Sequence, residues 1–201
     1  RTYLSTLYWK IIEKALDHGL YVVVRPPGVC PGGIKVDGYY QDYLLKVWDI
    51  VSSNTNIKKH SGQVSIELAN EPVNIYDADS LESTRAPYDF FQPIVDKIRA
   101  NGFDGIIWVP GTGWQSNYTC YKSNPIEGYN IGYAVHAYVG WYNNSDENAN
   151  GETFIQEFGK AVPVVNTNPV IITEVDWSPE KEGEGHYDEH GNWVPANWGT
   201  W

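Results

Sequence analysis

Hydrophobic residues along this chain follow two spacings, and each spacing predicts a different kind of element. Apolar side chains three or four positions apart, as on one face of a helix, predict helices over 3–18, 39–53, 88–101 and, more weakly, 152–165. Short apolar runs rich in β-branched residues predict five strands, at 21–25, 63–70, 103–109, 131–138 and 168–175. Pro93 conflicts with the third helix, because an interior proline removes a backbone hydrogen bond and should kink the helix or delay its start.

The predicted strands alternate with helices or long crossovers, which is the order expected of βα units and a parallel sheet. Their apolar runs are continuous, as in strands buried on both faces. The unusual residues lie at the C-terminal end of a strand or in the loop after it. This one-sided distribution predicts a (β/α)8 barrel or a doubly wound sheet. No glycine-rich phosphate loop follows any strand, which argues against a nucleotide site.

Two glutamates, Glu71 and Glu174, lie at the C-terminal tips of separate predicted strands. A carboxylate there suits chemistry better than structure, because burial without a partner penalises its charge. Cleavage of a glycosidic bond needs one proton donor at the leaving oxygen and one anion at the anomeric carbon. We therefore predict that Glu71 is the donor and Glu174 the ionised carboxylate. Their carboxyl groups should lie about 5 Å apart, the separation of retaining enzymes.

The aromatic content and the charge narrow the class of ligand. The chain has 201 residues, with 9 Trp and 15 Tyr against 5 Phe. Sugar rings stack on such aromatic faces, so we expect a carbohydrate ligand, with Trp114, Trp141 and Trp177 as sugar platforms. A net charge of −11 disfavours nucleic acid and anionic membranes as partners. No apolar run reaches the length of a membrane span.

Four short motifs stand at or just after predicted strand ends. They are Leu-Ala-Asn-Glu-Pro at 68–72, Gly-Thr-Gly-Trp-Gln at 111–115, Val-His-Ala-Tyr at 135–138 and Ile-Thr-Glu at 172–174. In order and spacing they resemble glycoside hydrolase family five, a large (β/α)8 family that includes many endo-β-1,4-glucanases and β-mannanases.

The resemblance implies that Glu71 is the acid/base and Glu174 the nucleophile. It also implies that Asn70 hydrogen-bonds the sugar 2-hydroxyl and that His136 contacts the acid/base or the substrate. Tyr138 would lie close to the nucleophilic carboxylate and help to hold it. We expect no cofactor and no metal site.

The chain also departs from the family pattern. The strand at 21–25 resembles the third of the family, yet it ends in Arg25 and two prolines, without the usual histidine. The arginine of the second strand and the tryptophan of the eighth have no counterpart, so the chain resembles strands three to seven of an incomplete (β/α)8 barrel, with about five βα units. We expect 1–201 to be a single catalytic domain truncated at both ends. A second chain or a missing segment would cover the open wall, and Glu67 would be the buried partner of Arg25.

The resemblance implies the function of a secreted or cell-surface retaining endo-β-1,4-glucanase, with a β-glucan or related plant polysaccharide as partner. A β-mannanase or xyloglucanase of the same family remains an alternative, as does a non-hydrolytic carbohydrate-binding or inactive fragment. Cys30 and Cys120 follow predicted strand ends, and they form either one disulfide or two free thiols.

Overall fold

A five-stranded parallel sheet forms the centre of the protein. The computed structural model describes residues 2–138, 141–142, 151–175 and 185–195. The sheet strands are β1 (Val22–Val24), β2 (Val64–Glu67), β3 (Ile107–Pro110), β4 (Ile131–His136) and β5 (Val170–Glu174). They lie side by side in chain order, and the sheet curls into a half-barrel. All five predicted strands are confirmed, and the unreversed order excludes the doubly wound alternative.

Four longer helices alternate with these strands. They are α1 (Trp9–Asp17, after a π-helical segment Leu4–Tyr8), α2 (Tyr39–Ser52), α3 (Ala86–Ala100) and α4 (Gly151–Ala161). α2 buries its predicted apolar face, with Leu44 and Trp48 fully inaccessible. The Trp48 indole N–H donates a 2.9 Å hydrogen bond to the Leu68 carbonyl, which fixes this helix to the exit of β2.

Pro93 lies inside α3, which nevertheless continues past it. A proline leaves the carbonyl four residues earlier, here that of Asp89, without its helical donor. The buried Gln41 side chain on α2 supplies the missing donor, because its Nε2 bonds the carbonyls of Asp89 at 3.1 Å and Phe90 at 2.7 Å. The expected delay is therefore wrong, since α3 begins at Ala86 and a neighbouring helix satisfies the freed carbonyl.

Several short elements were not predicted from the sequence. Gly33–Lys35 pairs in parallel with Asn74–Tyr76, and Gly185–Tyr187 pairs antiparallel with Trp193–Pro195. Short helices also span Thr55–Lys59, Cys120–Ser123 and, as a 3-10 turn, Pro163–Asn166. Each has three to five residues, too few for a hydrophobic period to show.

One side of the half-barrel is open. Within the described residues, β1 pairs only with β2 and β5 pairs only with β4. Beside β1 lies an apolar groove of about 660 Å³, bordered by α1 residues such as Ile11, which is 60% exposed. This is the exposed wall expected from the strand count. No helix in the described part of the chain combines the length and apolar character needed to span a bilayer.

The two cysteines are both free thiols. Cys30 is buried beneath the exit of β2, where its backbone N–H donates to the Asn70 carbonyl at 2.8 Å. Burial raises the pKa of Cys30 to about 11 and that of Cys120 to about 12. Of the two alternatives left open by the sequence, the structure has the unpaired thiols.

Candidate active site

The carboxyl ends of four strands converge on one group of polar side chains. Arg25 follows β1, Glu71 follows β2, His136 ends β4 and Glu174 ends β5. Because the strands are parallel, these ends meet at one edge of the sheet. Side chains that come from distant parts of the sequence therefore share one site.

Glu174 is held by three neighbouring side chains. The predicted contact with Tyr138 is present, because Tyr138 Oη donates to Glu174 Oε2 at 2.8 Å. Arg25 Nη1 lies 2.5 Å from Glu174 Oε1, and His136 Nδ1 lies 3.4 Å from Oε2. Burial alone would raise the pKa of this carboxyl. The hydrogen bonds from Tyr138 and Arg25 outweigh burial and hold the pKa below its ordinary value. Glu174 is thus an ionised carboxylate at neutral pH.

Glu71 has a left-handed backbone, with φ of 56°, immediately before Pro72. Such a conformation is uncommon for a residue other than glycine, and it is concentrated at functional sites. In a regular strand Asn70 and Glu71 would face opposite sides of the sheet. Here both reach the site, because Glu71 Oε1 lies 3.1 Å from His136 Nδ1 while Asn70 Oδ1 accepts from Arg25 Nη1 at 2.7 Å.

His136 lies between the two glutamates and is fully buried. Its Nδ1 faces carboxylate oxygens of both Glu71 and Glu174, so this nitrogen carries a hydrogen. One carboxylate oxygen of each glutamate and the ring nitrogen all lie within 4.8 Å of one another. Among the described residues this is the one group placed to hold a metal ion, and an ion bound there would have to displace the Nδ1 hydrogen.

Glu67 is not the partner of Arg25, so that prediction is wrong. The Glu67 carboxylate is 1% exposed and accepts from Gln115 Nε2 at 3.0 Å and Thr173 Oγ1 at 3.1 Å. Arg25 bonds Asn70 and Glu174 instead. The prediction assumed a contact between neighbouring strands, whereas the arginine side chain reaches across the curled sheet. Burial raises the pKa of Glu67, and its hydrogen bonds offset this only in part.

Two of the three predicted sugar platforms border one cavity. This cavity of about 770 Å³ is lined by Trp114, which is 52% exposed, and by Trp141. Trp141 packs against Tyr138 with 5.0 Å between ring centroids, so the cavity adjoins the residue that holds Glu174. Trp177 lies outside the described residues.

A parallel half-barrel that carries two facing glutamates at its carboxyl edge is the arrangement of the β/α-barrel glycoside hydrolases. The sequence identifies the family, because the protein-family model described as Cellulase (glycosyl hydrolase family 5) matches residues 4–197. The chain belongs to this family.

Individual relatives are more distant. An endoglucanase of Bacillus sp. (strain KSM-635) is 27% identical in an alignment 217 residues long that covers 98% of this chain and 22% of the relative. A β-glucanase from Saccharophagus degradans, with 21% identity and a TM-score of 0.69, aligns with 91% of this chain and 56% of its own, and its complex with cellotetraose has also been solved. A mannanase from Streptomyces sp. SirexAA-E matches at 17% identity and a TM-score of 0.54, over 91% of this chain and 52% of its own. The chain therefore spans about a quarter of the curated relative and about half of these solved chains.

Sequence reasoning missed the site roles of two residues. Arg25 is expected from the sequence only as the partner of Glu67 and at a departure from the family pattern, and Gln115 stands in a motif without a role. The available signal for Gln115 was a polar residue two positions after a glycine in a strand-exit loop, which by itself does not distinguish a buried amide from an exposed one. Its contacts become visible only when the loop is folded against β2.

Proposed function

We propose that this chain is a retaining glycoside hydrolase that cleaves β-1,4-glucan internally, with Glu174 as nucleophile and Glu71 as acid/base. The observation that carries the proposal is that one carboxylate oxygen of Glu71 lies within 4.8 Å of one of Glu174. Retaining enzymes hold their carboxyl groups about 5–5.5 Å apart, whereas inverting enzymes need about 6.5–9.5 Å to admit a water between them.

The environments of the two glutamates suit different roles. Tyr138 and Arg25 stabilise the anionic form of Glu174, which would form the bond to the anomeric carbon. As the glycosidic C–O bond breaks, its electron pair goes to the leaving oxygen, and Glu71 would donate a proton to that oxygen. Water would then attack the glycosyl ester and give its proton to Glu71, which restores both carboxyl groups.

The choice of glucan as substrate is supported by the endoglucanase relative and by the β-glucanase solved with cellotetraose. Trp114 and Trp141 would supply stacking faces for sugar rings beside the cleavage centre. Asn70, fixed by Arg25, would hydrogen-bond the 2-hydroxyl of the sugar being cleaved.

Because a β-1,4-glucan polymer cannot enter a cell intact, the proposal includes action outside the cell or on its surface. Immunoblots of culture fluid, cell surface and cell lysate would test that location.

The function is tested by reducing-sugar release from carboxymethylcellulose and from glucomannan. We expect the wild type to act faster on carboxymethylcellulose. Glu71→Gln and Glu174→Gln should each lose about a hundredfold or more of that rate. Glu13→Gln, an exposed carboxylate on α1, is the matched control and should retain it.

The outcomes separate the alternatives. Binding of either polymer without release would favour a non-hydrolytic domain, and faster release from glucomannan would favour a mannanase. Proton NMR of the first products would show the β-anomer if the enzyme is retaining. The α-anomer would refute the assigned roles.

A further inference from the structure

The loop that follows β3 contains three consecutive residues in the left-handed region. Gly113, Trp114 and Gln115 have φ values of 57°, 56° and 60°. For tryptophan and glutamine this conformation is strained, so the surrounding contacts must hold the turn. Two backbone hydrogen bonds between Thr112 and Asn117, of 3.0 and 3.1 Å, close its base.

This turn sends consecutive side chains in opposite directions. Trp114 is 52% exposed and lines the 770 Å³ cavity, whereas Gln115 is fully buried beneath Glu71. The backbone of the turn is bonded to the chain just after the acid/base, because Trp114 N–H donates to the Pro72 carbonyl at 3.0 Å and Gly113 N–H to the Val73 carbonyl at 2.9 Å.

The Gln115 amide makes a complete set of contacts in this position. Its Oε1 accepts from the Glu71 backbone N–H at 2.7 Å. Its Nε2 donates to Glu67 Oε1 at 3.0 Å and to the Ala134 carbonyl at 3.1 Å. These partners fix the orientation of the amide, since a backbone N–H can only donate and a backbone carbonyl can only accept. The main-chain carbonyl of Gln115 accepts from the backbone N–H of His136 at 3.0 Å.

Gln115 therefore hydrogen-bonds the main chain of both Glu71, the proposed proton donor, and its neighbour His136. Its side-chain amide holds the strained backbone of Glu71. Its main-chain carbonyl holds His136, whose ring lies 3.1 Å from the Glu71 carboxylate. It also holds the Glu67 carboxylate, 3.9 Å from His136 Nε2. No contact of Gln115 within the described residues reaches Glu174 directly. Its direct contacts therefore reach the backbone of Glu71 and not Glu174.

Resting on the proposed function, we infer that Gln115 is a positioning residue for Glu71, which keeps the acid/base aimed at the leaving oxygen through the left-handed turn of residues 113–115. Removing the amide leaves the Glu71 N–H without its acceptor and lets the Glu71 backbone relax toward the extended conformation favoured before proline. Proton donation should suffer, while nucleophilic attack by Glu174 should not.

The leaving group distinguishes these two effects. Cellotetraose releases a sugar alcohol that must be protonated as it departs. 2,4-Dinitrophenyl β-cellobioside releases a stable phenolate that needs no proton from the enzyme. We expect Gln115→Leu to lose about tenfold or more of kcat/KM on cellotetraose and to stay within about threefold of wild type on the aryl glycoside. Gln41→Leu is the matched control, because it removes another buried amide, at the α2–α3 contact, and should change both substrates equally.

A conservative variant provides rescue and guards against misfolding of Gln115→Leu. In Gln115→Glu, the introduced side chain has the same shape as glutamine while its carboxyl is protonated, so it can accept from Glu71 N–H and donate to Glu67. Relative to wild type at each pH, the activity of this variant on cellotetraose should recover in acid and fall as the new carboxyl ionises beside Glu67, His136 and Tyr118. Activity on the aryl glycoside should not follow this course.

The possible results bear on different conclusions. Equal losses on both substrates in Gln115→Leu, or no pH-dependent recovery in Gln115→Glu, would overturn the positioning role and leave the proposed function intact. A wild-type protein that cleaves neither substrate would overturn the proposed function, and the positioning role with it.

Discussion

Replacing Arg25 with methionine removes the positive charge that faces Glu174 but keeps an unbranched side chain in its place. Arg25 Nη1 donates to Glu174 Oε1 at 2.5 Å and to Asn70 Oδ1 at 2.7 Å, so one nitrogen fixes both groups. In Arg25→Met the carboxylate keeps Tyr138 and His136 as neighbours but loses its cationic partner. Asn70 Oδ1 loses its donor at the same time.

The expected loss follows from these contacts. A hydrogen bond to a charged group contributes about 1.5–3 kcal/mol. The Arg25 side chain is 37% exposed, so water screens the interaction and the lower end of that range applies. A loss of about 1.5 kcal/mol in the transition state corresponds to about tenfold in kcat/KM. Because Arg25 helps to hold the pKa of Glu174 low, its removal should raise that pKa and move the acid limb of the rate profile to higher pH.

Initial rates on 2,4-dinitrophenyl β-cellobioside, measured from acid to neutral pH, report both the loss in kcat/KM and the shift of the acid limb. This substrate is suitable because its cleavage does not require acid catalysis. Arg85→Met is the matched control, because it breaks an exposed arginine–carboxylate pair with Asp89 on the outer helix α3. It should leave the profile unchanged. An unmoved acid limb in Arg25→Met, together with kcat/KM close to that of wild type, would refute the assignment of Glu174 as an anion stabilised by Arg25.

Three further predictions use the same chemistry. Tyr138→Phe removes the 2.8 Å hydrogen bond to Glu174, so kcat should fall about tenfold and the acid limb should again move up in pH–rate measurements. Burial raises the pKa of Glu67, so this group stabilises the fold most below its ordinary pKa and loses that contribution as pH rises through the folded value. Urea unfolding should therefore show Glu67→Gln gaining stability relative to wild type on going from acid to neutral pH. The raised pKa values of Cys30 and Cys120, about 11 and 12, predict slow reaction with a disulfide reagent in the native protein and fast reaction of both thiols in urea.

The strands and their terminal glutamates could be predicted because the relevant signals are local. Each strand is a short apolar run, and at Glu71 the next residue is a proline that ends it. Parallel strand ends must share one edge of a sheet, so topology places Glu71 and Glu174 on the same edge. Their approach also needs the curl of the sheet, which the resemblance to a (β/α)8 family implies. The resemblance added the roles of His136 and Tyr138, and the structure places both within hydrogen-bonding distance of a glutamate.

The remaining features depend on contacts that no local pattern encodes. Pro93 predicts a broken helix until Gln41, fifty-two positions earlier, is known to bond the freed carbonyls. Left-handed backbone at Trp114 and Gln115 lacks the usual glycine or asparagine signal at those two positions, and hydrogen bonds within the loop and to the chain after Glu71 maintain it. Arg25 was assigned to the nearest acidic residue in the sheet, because reach across a curved surface cannot be judged from strand order.

The two edge strands of the half-barrel are joined at the site itself. Arg25 follows β1 and Glu174 ends β5, and these are the first and last strands of the described sheet. Their ion pair therefore spans the whole width of the sheet at its carboxyl edge, while β2, β3 and β4 contribute Glu71, Gln115 and His136 between them. Every strand thus supplies one group to the constellation. Because Glu174, the proposed nucleophile, is held by a residue from the opposite edge, the curl of the sheet sets the position of Glu174 relative to Glu71. A change that flattens the sheet should therefore impair the proposed catalysis before it unfolds the core.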